Sequence, residues 1–546
     1  MIKRNKTGCI SCRIRRVKCD EARPQCLRCQ SAKRICDGYL PEGRVMSRRQ
    51  MLDALKNSPA IGPASQTLAG NVPMPSSAPI PVFVAMSPSQ DTVHFDYFRK
   101  ATAPNTDSFI PSSFWDQDLL QLAYTEPAIW HATLALGALH RRWELQFLGV
   151  EMETLIHRAT SHYGKAMALA KDLKSPEKVL ALSLSLIASA NMLGFWADSH
   201  MHLFAGFRIL AQNQALSSSC EGKRLSSTLT RLDMQSITFS DTKSPYPFVE
   251  ASINEGLGQT VYRQDASFYS YSDAASMVFA LMRRLMLLDQ TFQDGAMDET
   301  TFKSARKTLA RDTELFETKM AEFESSNLQF LHAHAAISIR IYHAWLRLVL
   351  RVSLFGAETR FDDCLGHMQH LTTLAYAFIH RKGPAKSLEL SLEPAVVAPL
   401  FEIGKRCRHP ALRRHVLKLM KEMNRHEGMW RSDGAAVAIE CIMQVEEQGF
   451  TEEYELFSSG YDNHCASKEI QKEALAIPWA TWSLEGYEPA TMYDWSNVRQ
   501  IPERKRVALV MAAPEFKSRI LDLKLFMSSM DPAQPNGEVK EIRVSY

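Results

Sequence analysis

The 546 residues lack the short motifs that announce common enzyme chemistries. There is no HExxH, GxSxG or P-loop, so zinc peptidase, serine hydrolase and nucleotide hydrolase readings have no anchor. The nearest approaches fail on context. "GLGQTV" (256–261) holds two of the three glycines of a dinucleotide loop, but no strand precedes it. "SPEK" (175–178) matches S-x-x-K without its companion motifs, and Ser175 before Pro176 reads better as a helix N-cap. The pairs His200/His202 and His332/His334 stand two apart, which on a helix turns them away from one another. No enzyme is expected.

Long apolar runs are equally scarce. The one charge-free stretch of near-membrane length is "VLALSLSLIASANMLGFWA" (179–197). Three serines and Asn191 dilute it and no aromatic belts flank it, so it reads as a helix buried in a helical body, with no membrane partner. The opening "MIKRNKTGCI" has no apolar core behind its charges, so no secretory signal is expected and the cysteines are expected to be reduced. Strand-like text is sparse. "KRVALVMAAP" (505–514) is the best case and suggests a small terminal hairpin.

What the sequence does have is concentrated at one end. Residues 1–50 hold 14 Lys/Arg against 4 Asp/Glu, a net +10, whereas the whole chain carries only +4. The remainder is therefore mildly acidic, and the basic head is the part suited to a polyanion. Six of the eleven cysteines fall in "CISCRIRRVKCDEARPQCLRCQSAKRIC" (9–36). The half Cys9, Cys12, Cys19, spaced C-x2-C-x6-C, is repeated as Cys26, Cys29, Cys36. A C-x2-C pair places two thiolates at the ~2.3 Å and tetrahedral angles that zinc prefers. One tetrahedral ion would strand two of the six thiols. Two ions need eight ligand positions, which six thiolates fill only if two of them bridge. The other five cysteines (220, 364, 407, 441, 465) have no metal spacing and read as buried thiols.

The run "RIRRVK" between Cys12 and Cys19 brings Arg13, Arg15, Arg16 and Lys18 onto a short helix leading from the first C-x2-C turn. A metal-held helix of this kind docks in a major groove, where arginine pairs bidentately with guanine. These cysteines, "RIRRVKCD" and Pro24 together resemble the fungal Zn2Cys6 binuclear-cluster transcription factors. The resemblance implies two Zn2+ ions. Cys9 and Cys26 would bridge them, Cys12 and Cys19 would complete one, and Cys29 and Cys36 the other. It implies that Arg15 and Arg16 approach the bases of a CGG-type triplet in double-stranded DNA and that Arg13 and Lys18 grip phosphates. Arg28, Lys33 and Arg34 would add backbone contacts. The family pattern has Lys where Arg16 stands, and Arg presents a different donor geometry. With "KRNK" (3–6) the cluster also suits nuclear import.

Residues 57–90 hold seven prolines and no charged residue, which reads as an extended connector. The expected organisation is a zinc-cluster DNA-binding domain over 1–40, a Pro-rich linker over 41–91, an all-helical regulatory body over 92–500 and a terminal extension over 501–546. Apolar Val45, Met51, Leu52 and Leu55 are too few to establish a coiled coil, so a homodimer is left open. Amphipathic runs cover 153–173, 176–197, 199–213, 274–296, 299–325, 327–355, 361–381, 410–424 and 432–448. A further helix carries Ile129, Ala132, Leu136 and Leu139 on one face, with Thr125 as its N-cap and Pro127 in its first turn. Residues 214–272 are polar and read as a long loop. Helical hairpins stacked in a solenoid-like body bury these faces.

Four segments, 112–140, 202–210, 231–239 and 407–430, resemble the helical regulatory region attached to many Zn2Cys6 factors. Glu427, Gly428 and Trp430 read as a packing motif closing a helix. "SLEGYEPATMYDW" (483–495) reads as a packed surface loop, with contact to transcription machinery as its functional alternative. The expectation is a nuclear, zinc-dependent, sequence-specific transcription factor for RNA polymerase II genes. The alternative is a zinc-cluster co-regulator acting through protein contacts without specific DNA binding.

Overall fold

A computed structural model describes residues 12, 17–22, 26–32, 90–107, 109–110, 112–147, 153–239, 241–253, 267–327, 334–381, 388–455, 465–516, 518–529 and 536–546. The chain divides into two units, Met1–Ala85 and Met86–Tyr546. In the first, one helix is described, α1 (Leu27–Ser31).

The second unit is mostly helical, and four of its longer helices begin at a side-chain N-cap. Besides several shorter helices, the unit holds α2 (Gln90–Tyr97), α3 (Pro127–Phe147), α4 (Glu153–Leu169), α5 (Pro176–Leu193), α6 (Trp196–Gln212), α7 (Cys220–Thr238), α8 (Tyr271–Gln293), α9 (Glu299–Ser326), α10 (His334–Val352), α11 (Leu365–Ile379), α12 (Val397–Arg406), α13 (Pro410–Glu422) and α14 (Ser432–Glu446). Ser175 caps α5 by accepting from the Lys178 N–H at 3.4 Å, with Pro176 as first residue. Ser219, Ser270 and Asp298 do the same for α7, α8 and α9, at 2.9, 3.2 and 2.9 Å. Thr125 does not cap α3. It ends the preceding short helix, and Glu126 starts α3 through its carbonyl, which accepts from Trp130 N–H at 2.9 Å.

The charge-free stretch forms α5, buried from Leu180 to Met192. Its serines are satisfied internally: Ser183, Ser185 and Ser189 donate to carbonyls four residues back at 2.9, 3.0 and 2.9 Å. Among the described residues no helix is long and apolar enough to cross a membrane. Helix α3 packs on α4 and α5, α5 on α6 and α7, α8 on α9 and α10, and α10 on α11. One continuous apolar cluster runs from Phe95 to Met527 and includes the four α3 residues expected on its inner face.

The reading of 214–272 as loop is corrected. Helix α7 lies inside it and is buried over nearly its whole length. Its polar side chains hid it: Leu225, Leu229 and Leu232 recur at helical spacing, but Ser, Thr, Arg, Asp and Gln fill most of the positions between and after them. Burial is made possible by exact pairing of charges and hydroxyls. Arg231 donates to Glu393 at 2.6 Å and to Ser227 at 2.7 Å; Asp233 pairs with Arg283 and accepts from Tyr246 at 2.8 Å. The helix starts with Cys220, which is exposed rather than a buried thiol; Cys364, Cys407, Cys441 and Cys465 are buried as expected.

Two small sheets complete the body. Strands β1 (Glu389–Ser391) and β2 (Arg425–Glu427) pair in parallel, and β2 pairs antiparallel with β3 (Trp430–Arg431). Glu427 turns its carboxylate on the start of α12, accepting from the N–H groups of Ala395, Val396 and Val397 at 2.9, 3.1 and 3.0 Å. The terminal hairpin exists, but a third strand joins it. β4 (Val507–Glu515), β5 (Ile520–Ser528) and β6 (Asn536–Ser545) form an antiparallel meander. Val507, Leu521, Leu523, Leu525 and Met527 of this sheet belong to the main core.

Candidate metal centre and nucleic-acid interface

Three thiols of the head converge. Cys12 Sγ lies 3.6 Å from Cys26 Sγ and 3.8 Å from Cys29 Sγ. All three side chains are buried, in a segment with few apolar residues to bury them. These separations are far longer than the ~2.05 Å of a disulfide. The Cys12–Cys26 separation is close to the ~3.8 Å between ligands placed tetrahedrally at ~2.3 Å from one ion, and Cys29 is near enough to serve a neighbouring ion that shares Cys26. The donor set fits zinc.

Local structure sets this geometry. Cys26 is the N-cap of α1, and its sulfur accepts from Cys29 N–H at 3.3 Å, folding the C-x2-C pair into one turn. Two residues after Cys19, Glu21 adopts φ of 60° and donates its N–H to Cys19 Sγ at 3.4 Å. Cys19, Asp20 and Cys26 form a second group with ligand atoms within 4.8 Å of one another. Cys26 is thus common to both groups. Asp20 was not singled out by cysteine spacing; its only signal was its place directly after Cys19.

Lys18 and Arg28 are exposed, Arg28 in the last turn of α1. Cys9, Cys36, Arg13, Arg15, Arg16, Lys33 and Arg34 lie outside the described residues, as does the linker. Elsewhere most of the described histidines are buried or half-buried, and His157 and His334 are exposed. His200 accompanies Tyr246 in edge contact, and His202 meets the Tyr163 hydroxyl at 2.8 Å. The 483–495 segment is a surface loop anchored at points: Tyr493 is buried and the Trp495 indole donates to the Asp362 carbonyl at 3.1 Å, while Leu484 and most of its polar residues are exposed.

A small thiol-rich head and a mostly helical body in one chain define the zinc-cluster class of regulatory proteins. The chain belongs to the fungal specific transcription factor domain family, whose domain matches residues 93–444. Residues 7–43 match the fungal Zn(2)-Cys(6) binuclear cluster domain, a zinc-binding module. The family consists of transcription regulators, and zinc-cluster regulators bind DNA.

The chain is 29% identical over 415 residues to the aspercryptin biosynthesis cluster-specific transcription regulator atnN of Emericella nidulans, covering 70% of this chain and 65% of that protein. It is 32% identical over 147 residues to the Zn(2)-C6 fungal-type transcription factor afumD of Aspergillus fumigatus, covering 25% and 33%. Over 37 residues it is 57% identical to the transcriptional regulatory protein moc3 of Schizosaccharomyces pombe, 7% of each chain. The chain therefore spans less than two thirds of the length of these relatives. No solved structure matches it.

Proposed function

We propose that the protein is a nuclear transcription factor of RNA polymerase II genes whose head binds two Zn2+ ions and reads CGG-type triplets in the major groove. The observation that carries this reading is the approach of Cys12 to Cys26 and Cys29 at 3.6 and 3.8 Å, with Cys26 also beside Cys19. A thiol common to both groups is what six ligands need in order to serve two ions. On this reading Cys9 is the second bridge and Cys36 completes the second ion's set. Residues 1–40 are the DNA-binding domain, 41–91 the linker, 92–500 the regulatory domain and 501–546 its terminal extension.

The bound metals hold the 13–18 segment so that Arg15 and Arg16 meet base edges, while Arg13, Lys18, Arg28, Lys33 and Arg34 meet phosphates. Native mass spectrometry of the full chain should show two zinc ions. Selection from random DNA should return CGG-containing sites, a lone triplet for a monomer and paired triplets at fixed spacing for a homodimer. Binding through five phosphates gives a log–log salt slope of roughly −4 to −5. Arg16→Ala should leave zinc content intact and relax base discrimination by about 1–3 kcal/mol. Two zinc ions with no preference among DNA sequences would instead favour the protein-contact co-regulator.

A further inference from the structure

A cavity of about 350 Å³ opens among α9, α10, α11 and the segment after Pro478. Its volume falls in the range of metabolite-sized ligand sites. Its lining is charged with one sign. Arg306 and Lys307 come from α9, Arg347 and Arg351 from α10, and no carboxylate is among the lining side chains.

Three of these cations are already balanced from behind. Arg306 pairs with Asp289 at 2.5 Å, Arg347 with Glu317 at 2.5 Å, and Arg351 with Glu488 at 3.2 Å. Lys307 is exposed and has no ion-pair partner among the described residues. The cavity therefore offers one uncompensated positive charge beside three fixed guanidinium groups.

Two buried polar groups on lining residues are also unanswered. The Trp482 indole Nε1 and the His367 Nδ1 have no hydrogen-bond partner among the described residues, although both side chains are only 4% exposed and both line the cavity. A buried N–H left without an acceptor is costly, so an acceptor brought by a ligand is favoured there. Neighbouring donors have been satisfied with care. Glu317 accepts from His343, Arg347 and Ser483 at 2.5–2.7 Å, which makes the two unpaired groups stand out. The rest of the lining is flat or apolar. Trp482 meets Tyr487 edge-on with centroids 5.4 Å apart, and Leu350 and Leu484 lie on the same wall.

We propose that this cavity binds a small flat organic monocarboxylate, with its carboxylate attracted by Lys307 and accepting from the Trp482 indole, and its apolar part against Tyr487, Leu350 and Leu484. Such a ligand would tie α9, α10 and α11 to the 479–487 segment and favour the state in which they are packed together. Burial and the cations Arg351 and Arg347 hold His367 down at about 3, so it presents a neutral ring to the ligand.

The test titrates the full-length protein with 2-naphthoate, with neutral 2-naphthamide and with inorganic phosphate by calorimetry. None of these readouts depends on DNA or zinc, so failure here leaves the DNA-binding reading standing, and the reverse. One saturable site for 2-naphthoate is expected, on the order of tenfold tighter than 2-naphthamide. Lys307→Glu, at an exposed position, should remove that preference, and Trp482→Phe should weaken 2-naphthoate several-fold in a protein of unchanged circular dichroism. Equal binding of the two naphthalenes, binding of phosphate alone, no saturation by about 5 mM, or an unchanged preference in Lys307→Glu would overturn the proposal.

Discussion

Cys26 concentrates more of the head's geometry than any other described residue, because it caps α1, approaches Cys12 and Cys29, and is grouped with Cys19. Cys26→Ala should therefore release all bound zinc and unfold the head, whereas a terminal ligand would affect one ion directly. Metal content and proteolysis of residues 1–40 check this; retention of one ion would contradict the bridging role. In the body, Arg408 has the corresponding position. It is fully buried, pairs with Glu358 and Glu446 at 2.8 Å each, and donates to the Val507 carbonyl at 3.0 Å, joining α13's approach to β4. Flanking carboxylates raise its pKa further and keep it charged. Arg408→Met should destabilise the body by about 3–5 kcal/mol, since both carboxylates lose a buried counter-charge, measured as a lower urea midpoint. The spacing of the cysteines was legible because all six fall within 28 consecutive residues. The partners of Arg408 were not, because they stand 38 to 99 residues away.

At the scale of elements, caps and turns carry the testable content. Ser175→Ala removes the acceptor for the Lys178 N–H at the start of α5 and should cost about 1 kcal/mol. Gly428 turns the chain between β2 and β3 at φ of 55°, and a Cβ there would stand 2.1 Å from the Gln235 side-chain oxygen. Gln235 is itself committed, donating to the Leu392 carbonyl at 3.2 Å and accepting from Asn191. Gly428→Ala should lower stability by roughly 1–3 kcal/mol and shift the thermal midpoint. Amphipathic helices such as α9 and α14 were readable because their apolar residues recur on one face. Helix α7 was not, since its burial rests on Glu393 and Arg283 meeting Arg231 and Asp233 from distant elements.

For the whole molecule, buried histidines tie stability to pH. Burial holds His367, His370 and His426 at about 3 in the folded protein, against 6.5 for a free imidazole. They are neutral when folded and take up protons when unfolded. Their contribution is complete above pH 6.5 and is lost as pH falls from there toward 3, each by at most ~1.4 kcal/mol per pH unit. The thermal midpoint of the body should drop steadily between pH 7 and pH 5, and a flat profile would count against neutral burial of these rings.

The sequence by itself determined the thiol-rich head, its positive charge and the helical class of the body, because each depends on residues close together in the chain or on a repeating apolar face. Only the tertiary structure decided that polar α7 lies inside, that the last strands enter the main core, and that cations from α9 and α10 line one cavity with a tryptophan from beyond Pro478. Those outcomes rest on groups far apart in sequence neutralising or excluding water from one another, which no local pattern encodes.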